Sequence, residues 1–354
     1  MHVLVSKKVL KIFSWKRILA AVFIGLAGAS YLLWDSFDKT AFDAVEWSLK
    51  SFVWLFVALL MMAIRDVSYM YRIRVLTDYK ISWRNSFDVI MLWEFASALT
   101  PSVVGGSSIA LYIVHKEGVS VGKSTAVVMT TAMLDELFYV MMVPIIVAIV
   151  GFNNLFPVSL ENEILGFRLG TMGLFVLGYV FILILIFIIV YAIFINPRGF
   201  KSLLLSIFKW KLLKRWRYAA IQVGDDIMTT SQELKGKKWT FWARTFGATF
   251  FSWTARFWVV NFMILAFLDV GDHLLIYGRQ LVMWVIMLIS PTPGSSGVAE
   301  LAFGGFLGEF TLGLAATFAL LWRLLSYYPY LFIGSIVLPN WLRRVLTNED
   351  NDEL

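Results

Sequence analysis

Long apolar runs separated by short polar stretches dominate the sequence. A helix needs about 20 apolar residues to cross the hydrocarbon core of a bilayer, and six runs come near or exceed that length. We therefore predict six full crossings, at about residues 18–34, 50–71, 124–150, 170–195, 241–268 and 312–338. The alternative for the first run is a cleaved secretory signal, because Ala27–Ala29 resembles a cleavage site.

Two further apolar stretches are interrupted by proline and glycine. Residues 87–99 are followed by "TPSVVGGSS", and residues 274–290 by "PTPGSSG". The first stretch has only 13 residues, or about 20 Å of helix, which is too short for a crossing. Irregular backbone at membrane depth is tolerated only where protein or water covers its free N–H and C=O groups. We therefore predict two re-entrant helical hairpins, at 87–114 and 274–308, that line a polar space.

Each predicted hairpin follows an arginine in a span, at nearly the same distance along the chain. Arg65 lies 35 residues before Thr100–Pro101, and Arg256 lies 36 residues before Thr292–Pro293. Inverted repeats with discontinuous helices are typical of secondary transporters, whose binding site lies near the membrane midplane. We predict an all-α polytopic membrane protein with an inverted-topology repeat. Its parts are 1–49 (N-terminal segment, first span and outer loop), 50–150 (first half), 151–240 (linking span and basic segment), 241–340 (second half) and 341–354 (acidic tail).

Composition and charge placement agree with a membrane protein. Hydrophobic residues make up 59% of the chain and charged residues 16%, against about 45–50% and 25% in soluble domains. The net charge of +7 is concentrated in residues 1–17, with five Lys/Arg, and 196–240, with ten. The positive-inside rule places these stretches, with 72–86, in the cytoplasm, so the charge indicates topology rather than nucleic-acid binding. We expect a multi-pass protein of the plasma (inner) membrane with both termini cytoplasmic.

Eight charged residues fall inside apolar segments and are candidates for a polar pathway. They are Arg65, Asp66, Glu94, Asp135, Glu136, Arg256, Glu300 and Arg323. Eight unpaired charges at helix centres would cost roughly 20–28 kcal/mol, more than the ~5–15 kcal/mol net stability of a domain. We expect them to pair, to meet water or to lie near an interface. Three are basic and five acidic, so complete pairing leaves two carboxylates that are protonated or meet a cationic headgroup.

For the pairs at 65–66 and 135–136 an alternative stays open, in which tilted helix ends let the charges reach the membrane surface. Gly105, Gly106, Gly294 and Gly297 have a different role. Glycine lets backbone N–H groups approach an anion closely, and a helix that starts after a break points its positive end at that anion. Lipid phosphate is a natural candidate, although glycine also serves close helix packing in membranes.

Three segments resemble a known family: "LTPSVVGGSSIALYIVHKEGVSVGKSTAVVMTTAMLDELFYV", "PTPGSSGVAELAF" and "LLWRLLSYYPYLFIGSI". They look like the transmembrane region of lysylphosphatidylglycerol synthases and of related flippase-like proteins (UPF0104 and AglD-type), a resemblance that covers roughly residues 10–340. It implies movement of aminoacylated phosphatidylglycerol between leaflets, with Asp135, Glu300 and Arg323 matching the family's charged positions. The chain departs from the family at "GGSSIAL", where Gly-Glu and then Arg are usual.

The resemblance implies a flippase-like module without the soluble transferase domain, so we expect a transporter and not an enzyme. Our hypothesis is alternating access of a lipid headgroup, from a phospholipid or a lipid-linked substrate, to a midplane cavity. The cargo could come from a separate lipid-modifying enzyme, and we expect no nucleic acid, metal or other cofactor. The residues assigned to the substrate are the eight charged residues with Thr100, Pro101, Gly105, Gly106, Thr292, Pro293, Gly294 and Gly297.

Two other functions stay open at this point, and so does the oligomeric state. A polytopic glycosyltransferase or accessory protein acting on lipid-linked sugars would need a carboxylate on an outer loop to act as general base, for which Asp269 and Asp272 are candidates. A scaffold would recruit enzymes through the basic segment 196–240.

Overall fold

The computed structural model describes residues 34, 47–100, 103–156, 162–164, 167–210, 213–288, 295 and 297–352. Most of the first predicted crossing lies outside these residues. The described helices are α1 (Leu49–Leu76), α2 (Trp83–Leu99), α3 (Val103–Lys116), α4 (Val121–Val150), α5 (Thr171–Val190), α6 (Pro197–Ile207), α7 (Arg217–Leu234), α8 (Trp239–Leu265), α9 (His273–Met287), α10 (Val298–Leu307), α11 (Ala315–Ser326) and α12 (Tyr328–Asp352).

Shorter elements join these helices. They are 3₁₀ turns at Asn153–Leu155, Lys214–Trp216 and Gly308–Phe310, a π-helical turn at Tyr191–Ile195, and an antiparallel hairpin of β1 (Asn162–Ile164) and β2 (Phe167–Leu169). The described part of the chain is therefore helical, as predicted, except for this small hairpin in the connection between α4 and α5.

Four segments of the described chain are long and apolar enough to cross a membrane. They are Leu49–Leu76, Val121–Val150, Thr171–Ile195 and Ala315–Val345. The helix α8 has 27 residues, about 40 Å in length, but no stretch of it is apolar enough to count among these four segments. The structure therefore supports a multi-pass helical membrane protein and gives four candidate spans among the residues it describes.

The helix α1 begins with a capping box, in which Ser48 and Ser51 satisfy each other's backbone N–H groups. It ends at Leu76, five residues beyond the predicted span. The first residues of the basic stretch 72–86 therefore continue the helix, because helical hydrogen bonding extends past the apolar run. This difference brings Arg72 into the interior of the protein.

The helices α1 and α8 pack against each other along their lengths and run antiparallel. Lys50 near the start of α1 pairs with Asp269 beyond the end of α8, and the rings of Trp54 and Phe262 stack at 5.5 Å. Farther along, Ser252 donates to the Arg65 carbonyl at 3.1 Å. The end of α1 and the start of α8 therefore lie at one end of the bundle, which we call the α1-C end.

Two helix–break–helix units enter the bundle from opposite ends. The connections 77–82 and 117–120 place the start of α2 and the end of α3 at the α1-C end. The connections 266–272 and 308–314 place the start of α9 and the end of α10 at the other end. The ends of α2 and α9 and the starts of α3 and α10 fall in the predicted hairpins.

The last predicted crossing, 312–338, is interrupted. The helix α11 ends at Ser326, Tyr327 leaves the helical conformation, and α12 begins at Tyr328. Pro329 explains the break, because a proline inside a continuous helix removes a hydrogen bond and clashes with the carbonyl four residues earlier. The predicted single helix is thus two helices with a break beside the cavity described below.

Charged side chains tie the connections together at the α1-C end. Asp78 accepts hydrogen bonds from Lys123 at 2.8 Å and from Lys237 at 2.6 Å. Partial burial would raise the pKa of Asp78, but these two ammonium groups outweigh it and lower the pKa below its ordinary value of 3.8. Nearby, Arg344 on α12 pairs with both Asp88 and Glu117. Ion pairs thus join the end of α1 to the starts of α4 and α8, and join α12 to α2 and to the end of α3.

Candidate functional site

A cavity of about 280 Å³ lies between the helices and is lined by charged and aromatic side chains. Its walls come from α1, α2, α4, α8, α9, α11 and the start of α12. Thr100, at the end of α2, and Ser295, just before α10, both line it. The two helix breaks therefore meet at one cavity, although their helices enter from opposite ends of the bundle.

Arg65 lies behind the cavity wall and is completely buried, with 0% of its surface exposed. Its Nη1 donates to Asp66 at 2.8 Å and to the Tyr330 hydroxyl at 2.5 Å. Its Nη2 lies 2.6 Å from Glu94 Oε1, close enough for an ion pair but without hydrogen-bond alignment. Full burial contradicts the alternative that Arg65 reaches the membrane surface. Two carboxylates and a phenol compensate its charge instead.

Arg72 is a cavity residue that the sequence analysis missed. Its Nη1 lies 2.5 Å from Asp135 Oδ1 and donates to Thr249 at 2.9 Å, and Asp135 also accepts from the Trp253 indole. Tyr69 lies between the two arginines of α1, with its ring 4.8 Å from Arg65 and 4.5 Å from Arg72. Positions 65, 69 and 72 share one helix face, and that periodicity could have found Arg72.

Glu300 and Arg323, which the sequence analysis assigned to the same pathway, form a buried ion pair. Arg323 Nε donates to Glu300 Oε1 at 2.8 Å, and Glu300 is 2% exposed. The other carboxylate oxygen accepts from the Gly297 N–H at 2.7 Å, with Gly297 at φ +84°. That left-handed conformation is readily adopted only by glycine. The pair therefore fixes the start of α10 to α11.

Arg256 and Glu136 differ from the other charged residues at the cavity. Among the described residues, no carboxylate lies within ion-pair distance of Arg256, whose guanidinium lies 4.3 Å from the Trp284 ring and 5.5 Å from the Trp253 ring. Glu136 Oε2 is buried and has no hydrogen-bond partner in the described part of the chain. Both side chains line the cavity, so one cation and one carboxyl group remain for a ligand or a proton.

Side chains satisfy the carbonyl groups at the end of α2. The Thr100 hydroxyl donates to the Ala96 carbonyl at 2.8 Å, and the Tyr327 hydroxyl donates to the Ala98 carbonyl at 3.2 Å. The last four carbonyls of a helix lack intrahelical donors. The donor to the Ala96 carbonyl is Thr100, which follows α2 directly. The donor to the Ala98 carbonyl is Tyr327, which lies at the interruption between α11 and α12.

The remaining predicted residues are placed as follows. Gly105 and Gly106 lie in the first turn of α3, near the N-terminal end that could face an anion. Pro101, Thr292, Pro293 and Gly294 lie outside the described residues. Asp269 pairs with Lys50 at the exposed end of the bundle and does not line the cavity, and no cluster of three His, Asp or Glu suited to a metal ion occurs in the described segments.

Comparison with known proteins agrees with the motifs. A family model described as the lysylphosphatidylglycerol synthase TM region matches residues 18–334. The chain belongs to this family. The matched region contains both helix breaks and every charged residue of the cavity, Arg72 included.

A curated relative gives the same assignment. A UPF0104 membrane protein of Archaeoglobus fulgidus is 24% identical to this TM-region protein over 289 residues, which are 75% of this chain and 79% of the relative. The resemblance drawn from the motifs is therefore confirmed, and it indicates a lipid-related membrane function.

Proposed function

We propose that this TM-region protein moves the polar headgroup of a membrane lipid across the bilayer through the charged cavity. The two helix–break–helix units act as re-entrant hairpins of an inverted repeat, and the cavity opens alternately to either side. The cargo is a phospholipid, aminoacylated phosphatidylglycerol included, or another lipid-linked polar group supplied by a separate enzyme. The protein lies in the plasma membrane with both termini in the cytoplasm.

The observation that carries this proposal is the meeting of both breaks at one charged cavity. A helix break leaves backbone N–H and C=O groups free to bind a polar ligand. Thr100 and Ser295 bring two such breaks to a common space. Units that enter from opposite ends can in turn control access from opposite ends, as in transporters built from inverted repeats.

Within the cavity, we assign the lipid phosphate to Arg256. Arg65, Arg72 and Arg323 already pair with carboxylates, so they stabilise the walls and neutralise buried acids. Arg256 forms no ion pair among the described residues, and the rings of Trp253 and Trp284 orient its guanidinium by cation–π contact without neutralising it. A guanidinium fork matches two phosphate oxygens and is well suited to bind this group.

The size of the cavity favours a headgroup over a whole lipid. Ligand pockets for drug-sized molecules typically measure about 300–1,000 Å³, and this cavity, at about 280 Å³, lies just below that range. A phosphate with one or two small substituents fits such a space, whereas two acyl chains do not. The chains therefore stay in the bilayer while the headgroup passes through the protein.

The test is lipid movement in reconstituted vesicles with Arg256→Gln. We expect the wild-type protein to move a tail-labelled phospholipid between leaflets, measured by chemical quenching of the outer leaflet, and the variant to lose most of that rate. Arg244→Gln is the matched control, because Arg244 is an exposed arginine on the same helix, outside the cavity. Equal rates in wild type and Arg256→Gln would contradict the assignment, provided that both proteins are folded and equally incorporated.

A further inference from the structure

The charges at the cavity do not balance when every group is ionised. Six charged residues line the cavity, namely Arg72, Arg256, Arg323, Glu94, Asp135 and Glu136. Ion pairs join Arg65, Asp66 and Glu300 to this set, which then holds four guanidinium groups and five carboxylates. The parts of the two breaks outside the described residues, 101–102, 289–294 and 296, contain no charged residue. The group therefore has a formal charge of −1, and one bound proton makes it neutral.

The hydrogen-bond geometry distinguishes one of these carboxylates from the other four. Asp66, Glu94, Asp135 and Glu300 each lie within 2.8 Å of an arginine nitrogen. Glu136 has no arginine within ion-pair distance in the described structure, and its buried Oε2 has no hydrogen-bond partner. Burying an ionised, unpartnered carboxylate is far more costly than burying a neutral carboxylic acid. Among the five acids, Glu136 is thus the one for which the neutral form is favoured.

The surroundings of Glu136 agree with this assignment. The titratable and charged groups that line the cavity with it are Asp135 and Tyr139 on α4, Tyr69 and Arg72 on α1, Glu94 on α2, Arg256 on α8, Arg323 on α11, Tyr327 between α11 and α12, and Tyr330 on α12. The described parts of α3, α5, α7 and α9, which also pack against α4, bring no titratable side chain to the cavity. Its sequence neighbour Asp135 is itself acidic.

We infer that Glu136 is a proton-exchange site, protonated in the empty cavity and deprotonated when a headgroup with a net positive charge binds. This inference rests on the proposed function. A headgroup with one phosphate and two ammonium groups adds a charge of +1, and loss of the Glu136 proton to water restores neutrality. Only an O–H bond breaks, and an ammonium group takes the place of the proton as partner of the carboxylate. A zwitterionic headgroup adds no net charge and leaves the proton in place.

Movement of a cationic headgroup is then coupled to movement of a proton in the opposite direction. When the cavity opens to the other side of the membrane only while its charged groups sum to zero, the protein carries either the proton or the cationic headgroup across. A pH gradient therefore drives cationic lipid toward the side with the higher proton concentration. The same gradient has no such effect on a zwitterionic lipid.

The first test needs no lipid movement. Infrared spectra of the purified protein should contain the C=O stretch of a protonated carboxylic acid, which shifts when the protein is labelled with ¹³C-glutamate and is absent in Glu136→Gln. Labelling requires no variant, so a folding defect cannot obscure the result. A band that does not shift with labelled glutamate, or that persists in a folded Glu136→Gln protein, would overturn the inference.

The second test measures proton release into a weakly buffered detergent solution. We expect about one proton per bound molecule of phosphatidylethanolamine acylated on nitrogen with lysine, which has a net charge of +1, and none with phosphatidylethanolamine itself. Glu309→Gln is the control, since Glu309 is a half-exposed acid paired with Arg279 outside the cavity, and it should leave the release unchanged. Equal release with both lipids, or none with the first, would overturn the inference.

A third measurement separates the inference from the proposed function. In vesicles of phosphatidylcholine and phosphatidylglycerol, an imposed pH gradient should change the rate of cationic lipid movement in the wild type and not in Glu136→Gln. If the lipid moves at a rate independent of the gradient, the inference fails and the proposed function stands. If proton release occurs but no lipid moves, the exchange site stands and the proposed function fails.

Discussion

Replacement of Arg323 by methionine tests an ion pair at the cavity whose two side chains are both buried. The substitution removes the partner of Glu300 while keeping most of the side-chain volume. Glu300 is 2% exposed and accepts one hydrogen bond from Arg323 at 2.8 Å and another from Gly297 at 2.7 Å. After the substitution the carboxylate keeps only the backbone donor and no counter-charge.

The expected cost follows from that geometry. Removal of one partner from a buried ion pair destabilises a protein by about 3–5 kcal/mol, because the remaining charge is uncompensated. We expect Arg323→Met to lower the free energy of unfolding by this amount, two to four orders of magnitude in the folding equilibrium. The double variant Glu300→Gln/Arg323→Met should cost less than Arg323→Met alone, since it leaves no buried charge at this position.

The measurement is reversible unfolding in mixed detergent micelles, followed by tryptophan fluorescence. Lys50→Met provides the comparison, because Lys50 and Asp269 form a pair at 2.5 Å whose side chains are 47% and 88% exposed. Exposed pairs contribute about 0–1 kcal/mol. The reasoning is refuted if Arg323→Met costs no more than Lys50→Met, or if the double variant is less stable than Arg323→Met.

Three further predictions concern packing, pH and hydrogen bonding. Gly334→Ala should cost about 1–3 kcal/mol, because a Cβ there would lie 2.4 Å from Phe95, and thermal unfolding in detergent measures it. The ion pairs of Asp78 should stabilise the protein at pH values above 3.8, the ordinary pKa of this group, and should be lost as the pH falls through its lower pKa in the folded protein. Melting temperatures measured against pH should show this loss. Tyr330→Phe should cost about 1–3 kcal/mol by leaving buried partners unsatisfied, whereas Tyr328→Phe should be nearly neutral because its buried hydroxyl has no hydrogen-bond partner among the described residues.

Each of these predictions has its own contrary outcome. Gly304→Ala is the packing control, since a Cβ at that position meets nothing within 4 Å, and equal effects of the two glycine variants would count against the close contact. Asp78→Asn should match the wild type only at low pH, and a constant difference at all pH values would disprove the ionic origin. Equal melting temperatures of the two tyrosine variants would disprove the role of the Tyr330 bond.

The sequence predicts the helices and the breaks well where local chemistry determines them. The spans near 124–150 and 170–195 agree with the structure within a few residues because apolar residues fill them. The breaks after Leu99 and Leu288 coincide with proline and glycine, which do not continue a helix. The interruption at Tyr327 also had a local signal in Pro329, but the apolar character of the surrounding run favoured a single span.

The partners of the charged residues could not be predicted from one sequence. Arg65 contacts Tyr330, 265 residues later, and such a contact depends on how the two halves pack together. The expectation that buried charges pair is confirmed for Arg65 and Arg323. Arg72 was counted with the cytoplasmic stretch 72–86, and without it the number of cations at the cavity was one too low.

The hydrogen bond from Tyr327 to the Ala98 carbonyl has a mechanical consequence. It joins the C-terminal end of α2, in the first half of the chain, to the interruption between α11 and α12, in the second half. Separating them would leave a carbonyl oxygen unsatisfied in apolar surroundings, at a cost of about 1–3 kcal/mol. When the protein opens, we therefore expect the end of α2 and the interruption between α11 and α12 to move together. The helices should then bend at their outer connections.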